Sequence, residues 1–259
     1  MSRPGRREAV FRFYEELNDF LPEDRRKRDF AVEIDRARSA KDAIESCGVP
    51  HPEVDLILVD GQSVGFDHLL RGGERVSVYP MFEALDISPV TRLRPRPLRD
   101  PRFVADGHLR SLARHLRMAG FDVLWDNGWD DDAIVSISVV QKRTILTRDK
   151  GMLRRGEVDR GYFVRATRTE AQLHEVVHAL QLETLLAPFT RCRECNTLLE
   201  EATREAVIDR VPEKVRGLYD RFRRCPGCGR VYWEGTHYSR MKGVIDRLQA
   251  VESAQGGGE

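Results

Sequence analysis

Residues 102–149 read RFVADGHLRSLARHLRMAGFDVLWDNGWDDDAIVSISVVQKRTILTRD, and this stretch decides the fold. Three short apolar runs, at 103–105, 121–125 and 144–147, have the length and composition of buried strands. Between them, residues 107–119 carry Leu109, Leu112, Ala113 and Leu116 on one helical face and Arg110, Arg114 and Arg117 on the other. Gly120 then supplies a helix stop. Residues 131–140 form a second helical segment, with Ile134, Ile137 and Val140 as its inward side. Strand, helix, strand, helix, strand predicts a parallel α/β sheet. In such a sheet the carboxyl ends of the strands share one edge, where ligands bind. Acids stand at three of those places: Asp106, the run Asp130-Asp131-Asp132, and Asp149. Each has a structural use, as a turn residue or a helix N-cap. Together they form an oxygen cage suited to Mg²⁺ or Mn²⁺, with the carboxylates expected to converge to roughly 4–6 Å of one another. Arg148, beside Asp149, and the three arginines of the first helix are candidates for holding phosphates.

Downstream, residues 150–155 read as a short helix, 162–164 as a strand, and 172–182 as a helix with Leu173, Val176, Val177 and Leu180 inward. Two C-x-x-C pairs follow, Cys192/Cys195 and Cys225/Cys228, separated by 29 residues. Each loop presents two thiolates on a tight turn, and the two complete a tetrahedron around structural Zn²⁺. The adjoining run RVYWEGTHYSRM places Arg230, Tyr232, His237 and Arg240 where bases and phosphates of RNA can be met. Trp233 reads equally as cover for the ribbon's small core. A helix over 241–251 and a disordered 253–259 close the chain.

Upstream, residues 80–101 hold five prolines, and residues 92–102 five arginines against one acid. Such a segment is a linker, with a basic bias fitted to phosphate or simply to solvent. Before it come strands at 9–14 and 30–34, a capping box Ser39-Ala40-Lys41-Asp42 opening a helix at 40–46, a strand at 54–59, and a hairpin turn at Asp60-Gly61. Returning strands are expected at 64–66 and 75–79. Cys47 reads as a small core residue and His51, between two prolines, as a loop residue. The order is that of a ubiquitin-like β-grasp domain. Net charge is +1 over 259 residues, which neither favours nor excludes nucleic acid. No apolar run approaches the ~20 residues of a membrane span, and the start of the chain lacks a signal-type apolar segment. The expected setting is cytoplasmic, where paired C-x-x-C motifs mean metal rather than disulfides.

The segments FVADGHLRSLARHLRMAGFDVLW, DDDAI and RTILTRD, followed by RCRECN and FRRCPGCGRVYWEGTHYSRM, resemble the PIN-like ribonuclease family named for the C-terminal domain of the mutator exonuclease Mut-seven. The phrase GVPHPEVDLILVDGQSVGFDHLLRGGERVSVYP is similar to the sulfur-carrier branch of the β-grasp superfamily. Carriers end in a free Gly-Gly; here Gly72-Gly73 is internal and Gly256-Gly257-Gly258 is capped by Glu259, which disfavours sulfur transfer. The resemblance implies an α/β architecture: a ubiquitin-like domain (1–88), a linker (89–101), a PIN-like Rossmannoid domain (102–188), a zinc ribbon (189–245) and a tail (246–259). It implies hydrolysis of RNA, with Asp106, Asp131 and Asp149 holding Mg²⁺ or Mn²⁺ and Asp130 and Asp132 able to stand in for Asp131. A protein partner would engage the ubiquitin-like domain. The competing expectation is an RNA-binding adaptor without catalysis, in which the acids serve only as caps.

Overall fold

The computed structural model describes residues 7–80 and 101–255. The chain divides into two units, one of residues 1–100 with 149–163 and one of residues 101–148 with 164–259. The arginine-rich linker at 89–101 lies, up to residue 100, outside the described residues.

In the first unit, β1 (Glu8–Phe13) lies between β2 (Phe30–Glu33), antiparallel to it, and the parallel β7 (Arg75–Pro80). Beyond β7 come β4 (Val54–Val59) and β5 (Gln62–Ser63), giving the order β2-β1-β7-β4-β5. First and last strands side by side and parallel are the mark of a β-grasp sheet. The capping box works as read: the Ser39 hydroxyl accepts from the Asp42 amide at 3.1 Å and starts α1 (Ala40–Ser46). Asp60 and Gly61 both have positive φ, 49° and 81°, the signature of a two-residue primed turn. That turn pairs Val59 with Gln62 and Leu58 with Ser63. The strand therefore resumes at once, two residues before the expected 64–66. A short β3 (Arg38–Ser39) pairs instead with β6 (Leu69–Leu70). Gly72, at φ 92°, would bring a Cβ to 2.4 Å from the Cβ of Arg7. This glycine pair thus serves a tight turn ahead of β7. Cys47 is buried, which pushes its thiol up to about 11. His51 differs from its reading as a loop residue. It is 5 % exposed, and its Nδ1 lies 2.7 Å from Glu45 Oε1.

In the second unit, β8 (Arg102–Ala105), β9 (Asp122–Leu124) and β10 (Thr144–Thr147) run parallel in the order β10-β8-β9. Their connections are α2 (Arg110–Met118) and α3 (Asp131–Gln141). After β10, α4 (Lys150–Leu153) and β11 (Gly161–Phe163) belong to the first unit. The second unit resumes with α5 (Thr169–Ala179), which packs on α2. Leu109, Leu112, Ala113 and Leu116 are all buried as their spacing requires, each leucine contributing about 1.5–3 kcal/mol. Helix α3 departs from expectation. Its buried residues are Ile134, Val135 and Ser138, while Val140 is 77 % exposed. The Ser138 hydroxyl donates to the Arg143 carbonyl at 2.6 Å, so a polar residue occupies the inward stripe.

The third sheet is β12 (Glu200–Ala202), β13 (Phe222–Arg224) and β14 (Val231–Trp233), antiparallel throughout. α6 (Arg204–Val207) leads into a small cluster of Val207, Val211, Val215 and Phe222, against which Trp233 packs. The cover role of Trp233 is the one realised. Helix α7 (Thr236–Gln255) begins earlier and ends later than the expected 241–251. Residues 253–255 are helical rather than disordered, and 256–259 lie outside the described residues. No helix among the described residues is long and apolar enough to cross a membrane.

The arginine face of α2 is corrected in one place. Arg117, expected as a candidate for holding phosphates, is 3 % exposed. Its Nε donates to the Val123 carbonyl at 2.8 Å, and its Nη1 to the carbonyls of Arg193 at 3.2 Å and Glu194 at 2.6 Å. Burial lowers its pKa, opposed by nearby thiolate and carboxylate charge. Arg117→Met is expected to destabilise the protein by about 2–4 kcal/mol, since it leaves three carbonyls without their donor. Chemical denaturation measures this; a loss below 1 kcal/mol contradicts a structural role.

Candidate metal centres and nucleic-acid surface

Asp106 closes β8 with a fixed carboxylate. Its backbone amide donates to the Leu146 carbonyl at 3.0 Å, continuing the ladder with β10. One carboxylate oxygen, Oδ1, accepts from the His108 amide at 2.9 Å. The other, Oδ2, accepts from the Thr147 hydroxyl and, at 3.1 Å, from the Arg148 amide. The side chain is 5 % exposed. An ionised carboxylate has about four acceptor directions. Three are taken by these donors, and the His108 imidazole Nδ1 lies 3.7 Å from Oδ1. Asp149 is the next residue after Arg148, whose amide Asp106 holds. It N-caps α4 by accepting from the Gly151 amide at 2.7 Å. At α3, Asp130 rather than Asp131 is the cap, accepting from the Ala133 amide at 2.9 Å. Asp131 and Asp132 stand exposed in the first helical turn.

Capping is therefore realised at Asp106, Asp130 and Asp149. Among the described residues, the four cysteines form the one group of three or more metal-type ligands whose atoms lie within 4.8 Å of one another. The expected 4–6 Å gathering of carboxylates is not among such groups, each cap being turned to its own helix amide. The donor type fits a hard divalent ion.

The sulfur site is built from two matched loops. The Asn196 amide donates to the Cys192 carbonyl, and the Gly229 amide to the Cys225 carbonyl, both at 2.9 Å. The Cys192 amide donates to the Thr197 carbonyl at 2.8 Å and the Cys225 amide to the Arg230 carbonyl at 2.9 Å. Asn196 and Gly229, fourth after each leading cysteine, share positive φ of 69° and 72°. Zn–S bonds of about 2.3 Å put tetrahedral sulfurs about 3.8 Å apart. Cys192 and Cys228 are 3.6 Å apart, Cys195 and Cys225 3.3 Å, so the residues fit the ion. Sulfur partners are in place as well: the Tyr232 hydroxyl at 3.0 Å from Cys192 Sγ and the Cys228 amide at 3.4 Å from Cys225 Sγ. Burial raises the Cys228 thiol to about 12, while hydrogen bonds with Thr197 outweigh burial at Cys195 and draw it down to about 6.

A family model described as the Mut7-C RNAse domain matches residues 101–245, more than half of the chain. The chain belongs to that family. A second model, Mut7-C ubiquitin, matches residues 6–86, in agreement with the β-grasp sheet. No curated protein and no solved structure matches the chain.

Within the Mut7-C RNAse domain, the residues expected to meet RNA divide sharply. Arg110, Arg230 and Arg240 are exposed. The Arg110 guanidinium lies 5.2 Å from the Trp125 ring centroid. Arg114 is paired with Glu194, and Arg117 is the buried clasp described above. Arg148 is exposed, but its Nη1 donates to the carbonyls of Val164, Arg165 and Ala166. The Tyr232 hydroxyl is spent on Cys192. The His237 side chain lies outside the described residues. The sequence reading missed a groove of about 750 Å³ beside the ribbon, lined in part by Phe189, Tyr238, Trp233, Arg193, Arg221 and Arg223. Its signal lay in the run Asp220-Arg221-Phe222-Arg223-Arg224, whose alternation marks an amphipathic strand with arginines on its outer side.

Proposed function

We propose that this Mut7-C chain is a cytoplasmic, metal-dependent ribonuclease that hydrolyses RNA phosphodiester bonds. Asp106, Asp131 and Asp149 would hold Mg²⁺ or Mn²⁺, with Asp130 and Asp132 beside Asp131. The observation that carries the reading is the state of Asp106. It is a buried carboxylate held, among the described residues, by two backbone amides and a hydroxyl, with the His108 imidazole 3.7 Å from Oδ1. Those donors hold it in place and tie it to the residue preceding Asp149. A structural cap would need only the His108 bond. These carboxylates would hold a divalent ion whose chemistry, when bound, would be activation of water and compensation of charge on the phosphodiester. Asp131 and Asp149 each sit exposed at a helix start, where an ion can reach them. The ribbon groove, with aromatic rings and arginines together, suits single-stranded RNA. A protein partner at the ubiquitin-like domain belongs to the same proposal.

The reading is tested with a panel of defined RNAs, single-stranded and duplex, incubated with Mn²⁺, Mg²⁺ or a chelator, with products mapped by end label. Expected is cleavage of single strands that depends on the added ion. Binding without cleavage under every ion supports the adaptor alternative instead.

A further inference from the structure

The segment that follows Asp149 is poorly equipped to hold itself. Helix α4 has four residues, far short of the ~12–15 at which an isolated helix becomes even marginal. Yet Met152, Leu153, Val158 and Tyr162 are all buried. The β-grasp part of the first unit meets this segment at several points. The Phe163 amide donates to the Glu53 carboxylate. Glu53 is itself only 3 % exposed. The Arg154 guanidinium donates to the Gly48 carbonyl at 3.0 Å, just past the end of α1. Phe163 packs against the β-grasp core and meets Phe20 edge to face at 5.6 Å. The Lys150 ammonium lies 4.9 Å from the Phe20 ring centroid and 5.3 Å from that of Phe163. Polar and apolar contacts thus grip residues 150, 154 and 163, from the residue beside Asp149 to the end of the segment.

A buried carboxylate costs folding free energy unless it is bonded. Glu53 is bonded to an amide of residues 149–163, that of Phe163. We infer that the ubiquitin-like module is a positioning device for Asp149: Glu53 and Arg154 fix the backbone that carries this acid. The inference rests on the nuclease reading above for the role of Asp149. It assigns the module a task inside the chain, distinct from recruitment of another protein. Glu53 and Arg154 touch no reacting atom and act through Asp149.

The test uses full-length protein carrying Glu53→Ala, Glu53→Gln or Arg154→Ala. Amide hydrogen exchange over residues 150–163 is read together with the Mn²⁺ concentration giving half-maximal cleavage. Glu53→Ala is expected to speed exchange there by about ten-fold or more, as local opening becomes easier. It should also raise the Mn²⁺ requirement by about ten-fold, the usual scale for loosening a group behind a metal ligand. The rate at saturating Mn²⁺ should fall much less. Glu53→Gln keeps an acceptor oxygen and should recover most of both. Arg154, exposed and peripheral to the core, gives a second variant that folds normally, with a smaller effect in the same direction. Unchanged exchange in both Glu53→Ala and Arg154→Ala overturns the grip. Faster exchange with an unaltered Mn²⁺ requirement overturns the positioning. A parent that cleaves no RNA sinks the nuclease reading and the positioning with it, while the exchange measurement still decides the grip.

Discussion

Asp106→Asn is expected to reduce RNA cleavage at saturating Mn²⁺ by on the order of 100-fold or more, the scale of losing one preorganised charge-stabilising group at a reacting centre. The substitution is nearly isosteric, so the loss is chemical rather than a collapse of β8. Asn can turn its oxygen to the Thr147 hydroxyl and the Arg148 amide, which leaves its NH₂ facing the His108 amide. One donor–donor contact costs about 1 kcal/mol of stability, visible as a small fall in Tm. Zinc content, set by cysteines elsewhere in the unit, should not change. Asp149→Asn is expected to lose activity to a similar degree, and the double variant little more than either alone, because groups serving one ion act as a unit. Cleavage by Asp106→Asn equal to that of the parent removes the site as drawn.

The second large effect concerns Cys225→Ser. The cluster of Val207, Val211, Val215 and Phe222 is too small to hold β12, β13 and β14 by itself. Structural zinc contributes on the order of 10–16 kcal/mol to such segments. Cys225 is one of the two buried cysteines of the four, and its replacement removes a ligand that Ser cannot match at neutral pH. Metal analysis should fall from one zinc per chain to none, and hydrogen exchange should rise across residues 190–233. The parallel sheet of β8, β9 and β10 should keep its own protection. Full zinc retention by Cys225→Ser refutes the four-sulfur assignment.

The parts legible in the sequence were those governed by local chemistry. Cysteine spacing fixed the ribbon, because two knuckles close by backbone geometry alone. Ser39 with Asp42, Asp60 with Gly61, and the leucines of α2 each obey a rule acting within a few residues. The Mut7-C resemblance rested on such segments and agrees with both family matches. What stayed hidden was set by partners distant in the chain. Arg117 has the spacing of a solvated face, yet two of its acceptors, Arg193 and Glu194, lie some seventy residues on. Arg148 reads as a phosphate hand until Val164, Arg165 and Ala166 present their carbonyls to it. Burial of Glu53 and His51 follows from what packs over them, which no periodicity announces. Val140 was misplaced because Ser138 takes the inward stripe of α3 through a bond to Arg143. Of the acids, cap geometry was foreseeable at Asp130 and Asp149; the triple anchoring of Asp106 was not, because Thr147 ends another strand and Arg148 follows it.

One residue of the first knuckle reaches past the sulfur site. The Asn196 side chain accepts from the Val123 amide at 3.1 Å and donates to Asp122 Oδ1 at 2.7 Å, while Arg117 takes the Val123 carbonyl. Val123 sits on β9, the outermost strand of its sheet. Both outward hydrogen-bonding groups of that residue are thereby blocked by side chains, where an open rim would recruit a foreign strand. The first knuckle and Arg117 together close that rim at Val123. Chelation would then do more than loosen a ribbon: it would bare a sticky border, and aggregation rather than clean unfolding would be its visible result.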